Sequence, residues 1–310
     1  MKKGKILSAG YKNFNIITFS WYVTNFCNYR CKYCNETTRL AKKIDDKELN
    51  GYKVINLYLK HKKMKNFSVE LIGGEPTLNP NLDKIIDLLD KNEKCIYVEL
   101  ITNLSKKSEY YLNLFKDKKD KFCLKPSFHP QYYNKKHLNK ILLLKDKIYV
   151  KPTIIFSDDE KYFKLTCNFI DKLIDNGIHF DIQEIYNVDN FYKTKYNNKI
   201  IDKIKFYKNL PSEKKDEFTL SKISTSEVPY RFENGEKKVK YADILDSNLN
   251  KFYGYNCIPR YFRIEPIGHI FNSCTGEKLK FDLTNLENKI KCPVKEGCLE
   301  KHKNFYYKYV

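Results

Sequence analysis

The feature that most restricts this chain is an alternation of strand-like and helix-like stretches between residues 16 and 185. Apolar runs of strand length occupy 16–24, 67–72, 95–102, 122–128, 148–156 and 178–185. Stretches with helical spacing occupy 45–64, 81–91, 106–115, 134–144 and 159–176, the last closing on Asn176-Gly177 as a helix C-terminus. Parallel strands need a crossover connection and helices supply it, so the repeats predict a parallel sheet with right-handed crossovers. Six repeats instead of eight predict an open, partial (β/α)6 barrel, an α/β fold whose chemistry sits at the C-terminal ends of its strands.

The alternation stops after residue 187. Residues 190–226 are rich in Lys and Asn, with a lateral helix expected near 199–208. Residues 230–236 read as a hairpin turning at Asn234-Gly235, and 262–267 with 269–273 read as a second hairpin joined at Gly268. The expected organisation is a barrel over 1–189, a linker with helix and hairpin over 190–250, and a small hairpin-containing module over 251–310.

With 42% apolar and 31% charged residues, the chain is neither disordered nor low in complexity. The longest aliphatic run, Ile141 to Leu144, is far too short to span a bilayer, and residues 1–24 lack the apolar stretch and cleavage site of a secretory signal. A cytoplasmic location without a membrane partner is therefore expected. The net charge of +20 comes from 53 lysines scattered along the chain and only five arginines. A nucleic-acid surface would concentrate Arg and interleave aromatics on one face, so this pattern argues against a nucleic-acid partner. Such a surface instead steers acidic proteins toward it.

Ten cysteines in a reducing compartment are not a disulfide framework. Cys95, Cys123 and Cys167 lie singly in apolar contexts and read as core. Cys27, Cys31 and Cys34 follow the first strand with three and two residues between them. Three thiolates so spaced can ligate three irons of a [4Fe–4S] cluster and leave the fourth open, whereas zinc would want a fourth ligand nearby. The same spacing would also fit one face of a helix, which the intervening Asn28, Tyr29 and Arg30 disfavour as a buried surface. The second strand runs into Gly73-Gly74-Glu75-Pro76, where two glycines permit close backbone approach to a ligand and a carboxylate suits a ligand ammonium. A plain strand-to-helix turn is the alternative. Cys257, Cys274, Cys292 and Cys298 form a later group; four thiolates can close a zinc site or a [4Fe–4S] cluster, and the absence of paired Cys-x2-Cys units tilts toward the cluster.

Together, residues 24–34 (Thr-Asn-Phe-Cys-Asn-Tyr-Arg-Cys-Lys-Tyr-Cys) and Gly73–Pro76 resemble the radical S-adenosylmethionine (SAM) superfamily across residues 10–187. The resemblance implies that the open iron is chelated by the amino and carboxylate groups of SAM, whose one-electron cleavage yields a 5′-deoxyadenosyl radical that abstracts a substrate hydrogen. It places Tyr33, Gly73, Gly74, Glu75, Pro76, Asn103 and Ser127 near the cofactor, and His129 as a candidate for substrate contact or proton transfer. Thr102, Lys125, Thr153, Gln183 and Glu184 also stand at strand ends. Gly268–Cys274, with Cys257 before it and Cys292 and Cys298 after it, is similar to the C-terminal auxiliary-cluster modules called twitch and SPASM. Relatives of this kind imply an oxidoreductase that modifies a peptide or protein residue. The alternative is a dehydrogenase or epimerase of a sugar or aminocyclitol, and a non-catalytic zinc- or cluster-binding protein is a third. An acidic flavodoxin or ferredoxin is the implied electron donor.

Overall fold

The computed structural model describes residues 5–9, 16–34, 38, 40–118, 120–157, 159–187, 192–193, 196–208, 227–240, 249, 251–286, 288–293 and 305–307. A short strand β1 (Ile6–Ala9) precedes the alternating region. That region runs β2 (Ile16–Thr24), α1 (Asp46–Leu59), β3 (Asn66–Gly73), α2 (Leu82–Lys91), β4 (Cys95–Thr102), α3 (Ser108–Leu114), β5 (Phe122–Phe128), α4 (Lys135–Leu144), β6 (Thr153–Phe156), α5 (Glu160–Asp175) and β7 (Asp181–Glu184). Strands β2 to β7 pair in parallel and in sequence order. Three of the six strands have the bounds their sequence implies. β6 starts five residues later than expected: Pro152, which has no N–H, leaves only an isolated bridge between Leu124 and Val150 ahead of it.

The period of two in the strands divides the barrel wall. Ile17, Phe19, Trp21 and Val23 of β2 and Phe67, Val69 and Leu71 of β3 join Ile55, Ile85, Ile86 and Leu89 of the helices in one buried core. The alternate residues face the other way and include polar ones; Thr18 and Ser68 there share a hydrogen bond of 2.9 Å. Lower in the barrel, Lys125 is paired with Glu99 (3.5 Å) and Asp181 (3.0 Å), and Lys151 with Asp181 (2.9 Å). Burial would push the Lys125 ammonium down, but the two carboxylates outweigh it and hold it charged.

Beyond β7 come β8 (Tyr186–Asn187), β9 (Tyr192–Lys193), the lateral helix α6 (Asn198–Lys208) and the hairpin β10 (Glu227–Phe232) and β11 (Gly235–Lys240). That hairpin turns on Glu233-Asn234, one residue earlier than expected, because Gly235 already pairs with Phe232. The chain closes with β12 (Asn256–Ile258), β13 (Tyr261–Ile264), β14 (Ile270–Asn272), β15 (Ile290–Lys291) and β16 (Phe305–Tyr307). The described strands beyond residue 250 are divided between two sheets. The β13–β14 hairpin adds to the barrel, β13 pairing in parallel with β2, so the eight-stranded order is β14-β13-β2-β3-β4-β5-β6-β7. β12, β15 and β16 instead join β1, β10 and β11 in a second sheet of order β11-β10-β1-β16-β12-β15. Its small core contains Ala9, Tyr230, Phe252, Cys257 and Cys292. Among the described residues, no helix is long and apolar enough to cross a membrane.

Candidate functional site

The loop that leaves β2 carries the three early cysteines, and nearly every neighbouring element holds it. From α1, Glu48 accepts from the Thr24 hydroxyl at 2.6 Å and from the Asn25 side-chain amide at 3.0 Å. From the turn after β3, Asn79 donates to the Val23 carbonyl (3.0 Å), Gly74 N–H to the Thr24 carbonyl (2.7 Å) and Glu75 N–H to the Phe26 carbonyl (2.8 Å). These last two bonds explain the paired glycines. A Cβ on Gly73 would stand 2.3 Å from the Thr24 oxygen and one on Gly74 would stand 2.1 Å from the Phe26 oxygen, with no room to yield. One close approach at these glycines is made by the cysteine loop itself, and both glycines also line the cavity described below.

Glu75 is fully buried, and its carboxylate accepts four hydrogen bonds: Thr77 N–H (3.1 Å), Thr77 hydroxyl (2.6 Å), Thr102 hydroxyl (2.7 Å) and Asn103 N–H (2.6 Å). Burial raises its pKa, and these donors oppose the rise. The geometry gives Glu75 the task of fastening the turn after β3 to the end of β4. Pro76 opens the 3-10 turn that follows and is buried. Asn103 then reaches back, donating from its amide to the Asn28 side-chain oxygen at 2.8 Å and toward the Cys27 sulfur at 3.9 Å. Within the loop, Arg30 donates to the carbonyls of Cys27, Tyr29 (2.9 Å) and Ala41 (3.1 Å).

Cys27, Cys31, Tyr33, Cys34, Gly73, Gly74, Glu75, Asn103, Ser127 and His129 all line one cavity of about 200 Å³ at the C-terminal ends of the strands. Ile72, Ile101 and Ile155 give it an apolar part. Lys125 is not in its lining, being committed to the ion pairs below. Cys257, Cys274 and Cys292 lie elsewhere, and Cys298 falls outside the described residues. Sequence reasoning missed Glu48, Tyr29 and Tyr132. Glu48 stands in an acidic helix start that looks solvated, and the aromatic pair carries no spacing signal.

Burial pushes the Cys31 thiol up to about 12 and raises Cys27, while Cys34 adds to both electrostatically. Among the described residues, no three His, Cys, Asp or Glu side chains converge as ligands of a single metal ion. A cubane makes a different demand: each thiolate bonds a separate iron, so its cysteines surround the cluster instead of meeting at one point. The Cys27 sulfur already faces the Tyr29 N–H (3.3 Å) as well as Asn103, donors suited to a thiolate. Three thiols on one braced loop at a cavity mouth, with no described side chain closing the set, fit the open-sided cluster.

Residues 21–179, just over half of the chain, match the family model described as the Radical SAM superfamily, and the chain belongs to that superfamily. No curated protein matches the chain by sequence. Among solved structures, Streptococcus suis SuiB bound to S-adenosylmethionine superposes with a TM-score of 0.53 at 13% identity, covering 88% of this chain and 65% of SuiB. SuiB bound to its precursor peptide SuiA gives a TM-score of 0.55 at 12% identity over the same shares of the chains, 88% and 65%. Polyhistidine-tagged anSMEcpe with bound AdoMet gives 0.55 at 17% identity, covering 86% of this chain and 78% of the other. At these identities the likeness is one of fold. The chain spans about two thirds of the length of SuiB. Members of the superfamily are enzymes, and membership implies a [4Fe–4S] cluster and SAM.

Proposed function

We propose that this chain is a radical SAM enzyme that abstracts a hydrogen from a peptide or protein residue in an oxidative modification, with Cys27, Cys31 and Cys34 as the cluster ligands. The observation that carries the reading is the cysteine loop, fastened by Gly74 and Glu75 to the strand ends and opening on the cavity. When bound, the cluster and SAM supply one-electron cleavage of the sulfonium to methionine and a 5′-deoxyadenosyl radical. The chain's own part is to hold three thiolates, to keep the Thr24–Phe26 backbone fixed against the Gly73-Gly74 turn, and to enclose the ligand between Asn103, Ser127 and the isoleucines. Peptide substrates are favoured because SuiB, a structural neighbour, is described in complex with a precursor peptide.

An auxiliary [4Fe–4S] cluster on Cys257, Cys274, Cys292 and Cys298 belongs to the same reading. In its favour, the β12–β15 register sets Cys257 opposite Ile290, and the Cys292 N–H bonds the Tyr255 carbonyl at 2.8 Å, so both cysteines share one face and one buried cluster. Ser273 N–H donates to the Tyr261 carbonyl at 3.3 Å, bringing Cys274 to the start of β13, four residues past Cys257. The donor would be an acidic flavodoxin or ferredoxin, drawn by the +20 charge. The reading is tested by anaerobic reconstitution with iron and sulfide, followed by SAM and dithionite. It expects methionine and 5′-deoxyadenosine as products; a reconstituted, iron-loaded protein that leaves SAM intact would refute it.

A further inference from the structure

The residue that follows Asn103 has a backbone conformation that leucine seldom adopts. Leu104 lies at φ 57°, in the left-handed region, with its side chain buried in the barrel core. Two sets of bonds hold it there. Its N–H donates to the Thr102 hydroxyl at 3.1 Å. Lys140 reaches across from α4 and donates its ammonium to the Leu104 carbonyl at 2.9 Å and to the Lys106 carbonyl at 2.6 Å. The bend returns the Ser105 N–H to the Asn103 side-chain oxygen at 3.1 Å, closing an Asx turn.

That bond decides which end of the Asn103 amide faces the site. A backbone N–H has to meet the oxygen, so the nitrogen is left to point the other way. It donates to the Asn28 side-chain oxygen at 2.8 Å, and the Cys27 sulfur stands 3.9 Å from it. The Asn103 backbone is fixed as well, its N–H donating to Glu75 at 2.6 Å. Asn103 lines the cavity, whereas Lys140 stands outside the lining and touches only the turn behind it.

We propose that Lys140 is a positioning residue for the SAM site: by holding the left-handed turn at Leu104, it makes Asn103 present hydrogen-bond donors to the cavity. The inference rests on the radical SAM reading given above. A donor end suits what the site would hold, a cysteine thiolate and a ligand rich in oxygen acceptors. Without the ammonium, two carbonyls lose charge-assisted bonds, and Leu104 is released from a conformation that its Cβ disfavours. The Asx turn then opens, and the amide no longer has one fixed orientation.

The test is SAM affinity by equilibrium dialysis of the reconstituted full chain, with iron counted in each sample. Amide hydrogen exchange is measured on the same chains before reconstitution. Lys140→Met keeps the stem and removes the ammonium. It should keep full iron, speed exchange at the Leu104 and Ser105 amides, and weaken SAM binding about tenfold, the worth of one hydrogen bond. Asn103→Ala should weaken binding at least as much. The double variant should bind no more weakly than Asn103→Ala, because Lys140 acts through Asn103. Wild-type affinity in either single variant would overturn the inference alone, as would additive losses in the double variant or a Lys140→Met chain that fails to fold. A wild-type chain that takes up iron and binds no SAM would overturn the radical SAM reading instead.

Discussion

At Gly74 the turn after β3 and the cysteine loop are in direct backbone contact. Gly-Gly after a strand signals a close backbone approach, but nothing in the sequence names the approaching partner. The Phe26 carbonyl fills the space a side chain would need. Gly74→Val should therefore displace the cysteine loop, and the measurement is iron content after reconstitution: loss of about half the iron is expected. Full iron with weakened SAM binding would return Gly74 to the ligand. A second residue has a consequence for stability. His137 Nε2 is buried without a hydrogen-bond partner, and the ring packs against Phe128 and Phe169. Burial above all, then the charges of His129 and Lys140, pushes His137 down to about 3. A base whose folded pKa is depressed contributes stability that is complete above its unfolded pKa, about 6.5, and is lost as pH falls toward the folded value. His137→Leu cannot take up that proton. Relative to wild type, it should gain about 1–2 kcal/mol on going from pH 8 to pH 5 in denaturant titrations. An identical stability difference at the two pH values would contradict this.

At the scale of elements, the parallel strands were the most legible part. Strands that bury one face against helices read as strand-length runs rich in β-branched and aromatic residues, and β2, β4 and β5 have the bounds those runs imply. β1 was not legible: Ile6-Leu7-Ser8-Ala9 is too short to show a period, and its partners β10 and β16 lie more than 200 residues away. The β13–β14 hairpin was legible as a hairpin, while its parallel register on β2 was not, because local pattern cannot specify a distant neighbour. What holds the hairpin there is a second close approach. A Cβ on Gly51 of α1 would meet the Pro266 carbonyl oxygen at 1.9 Å, so the hairpin turn rests directly on the helix that carries Glu48. Gly51→Ala should destabilise the fold by about 1–3 kcal/mol despite the better helix propensity of alanine. A more stable variant in urea titration would show that the turn and helix are not in contact.

Across the whole molecule, a strand near the start of the chain and strands from beyond residue 226 meet in one sheet. β1, β12 and β16 build the second sheet, whose core includes Cys257 and Cys292, while the cysteine loop and its cavity belong to the barrel. A three-cysteine loop at the barrel cavity and a later group of four cysteines away from it predict two separable cluster sites, about eight irons per chain. The central claim concerns the first of them, and it is tested most directly by replacing Cys27, Cys31 and Cys34 with alanine together. Iron and 5′-deoxyadenosine are then measured in parallel with wild type under dithionite. The expected result is a chain that keeps about half of its iron and forms no 5′-deoxyadenosine. Formation of 5′-deoxyadenosine by the triple variant would place the SAM-cleaving site elsewhere in the protein and contradict the claim.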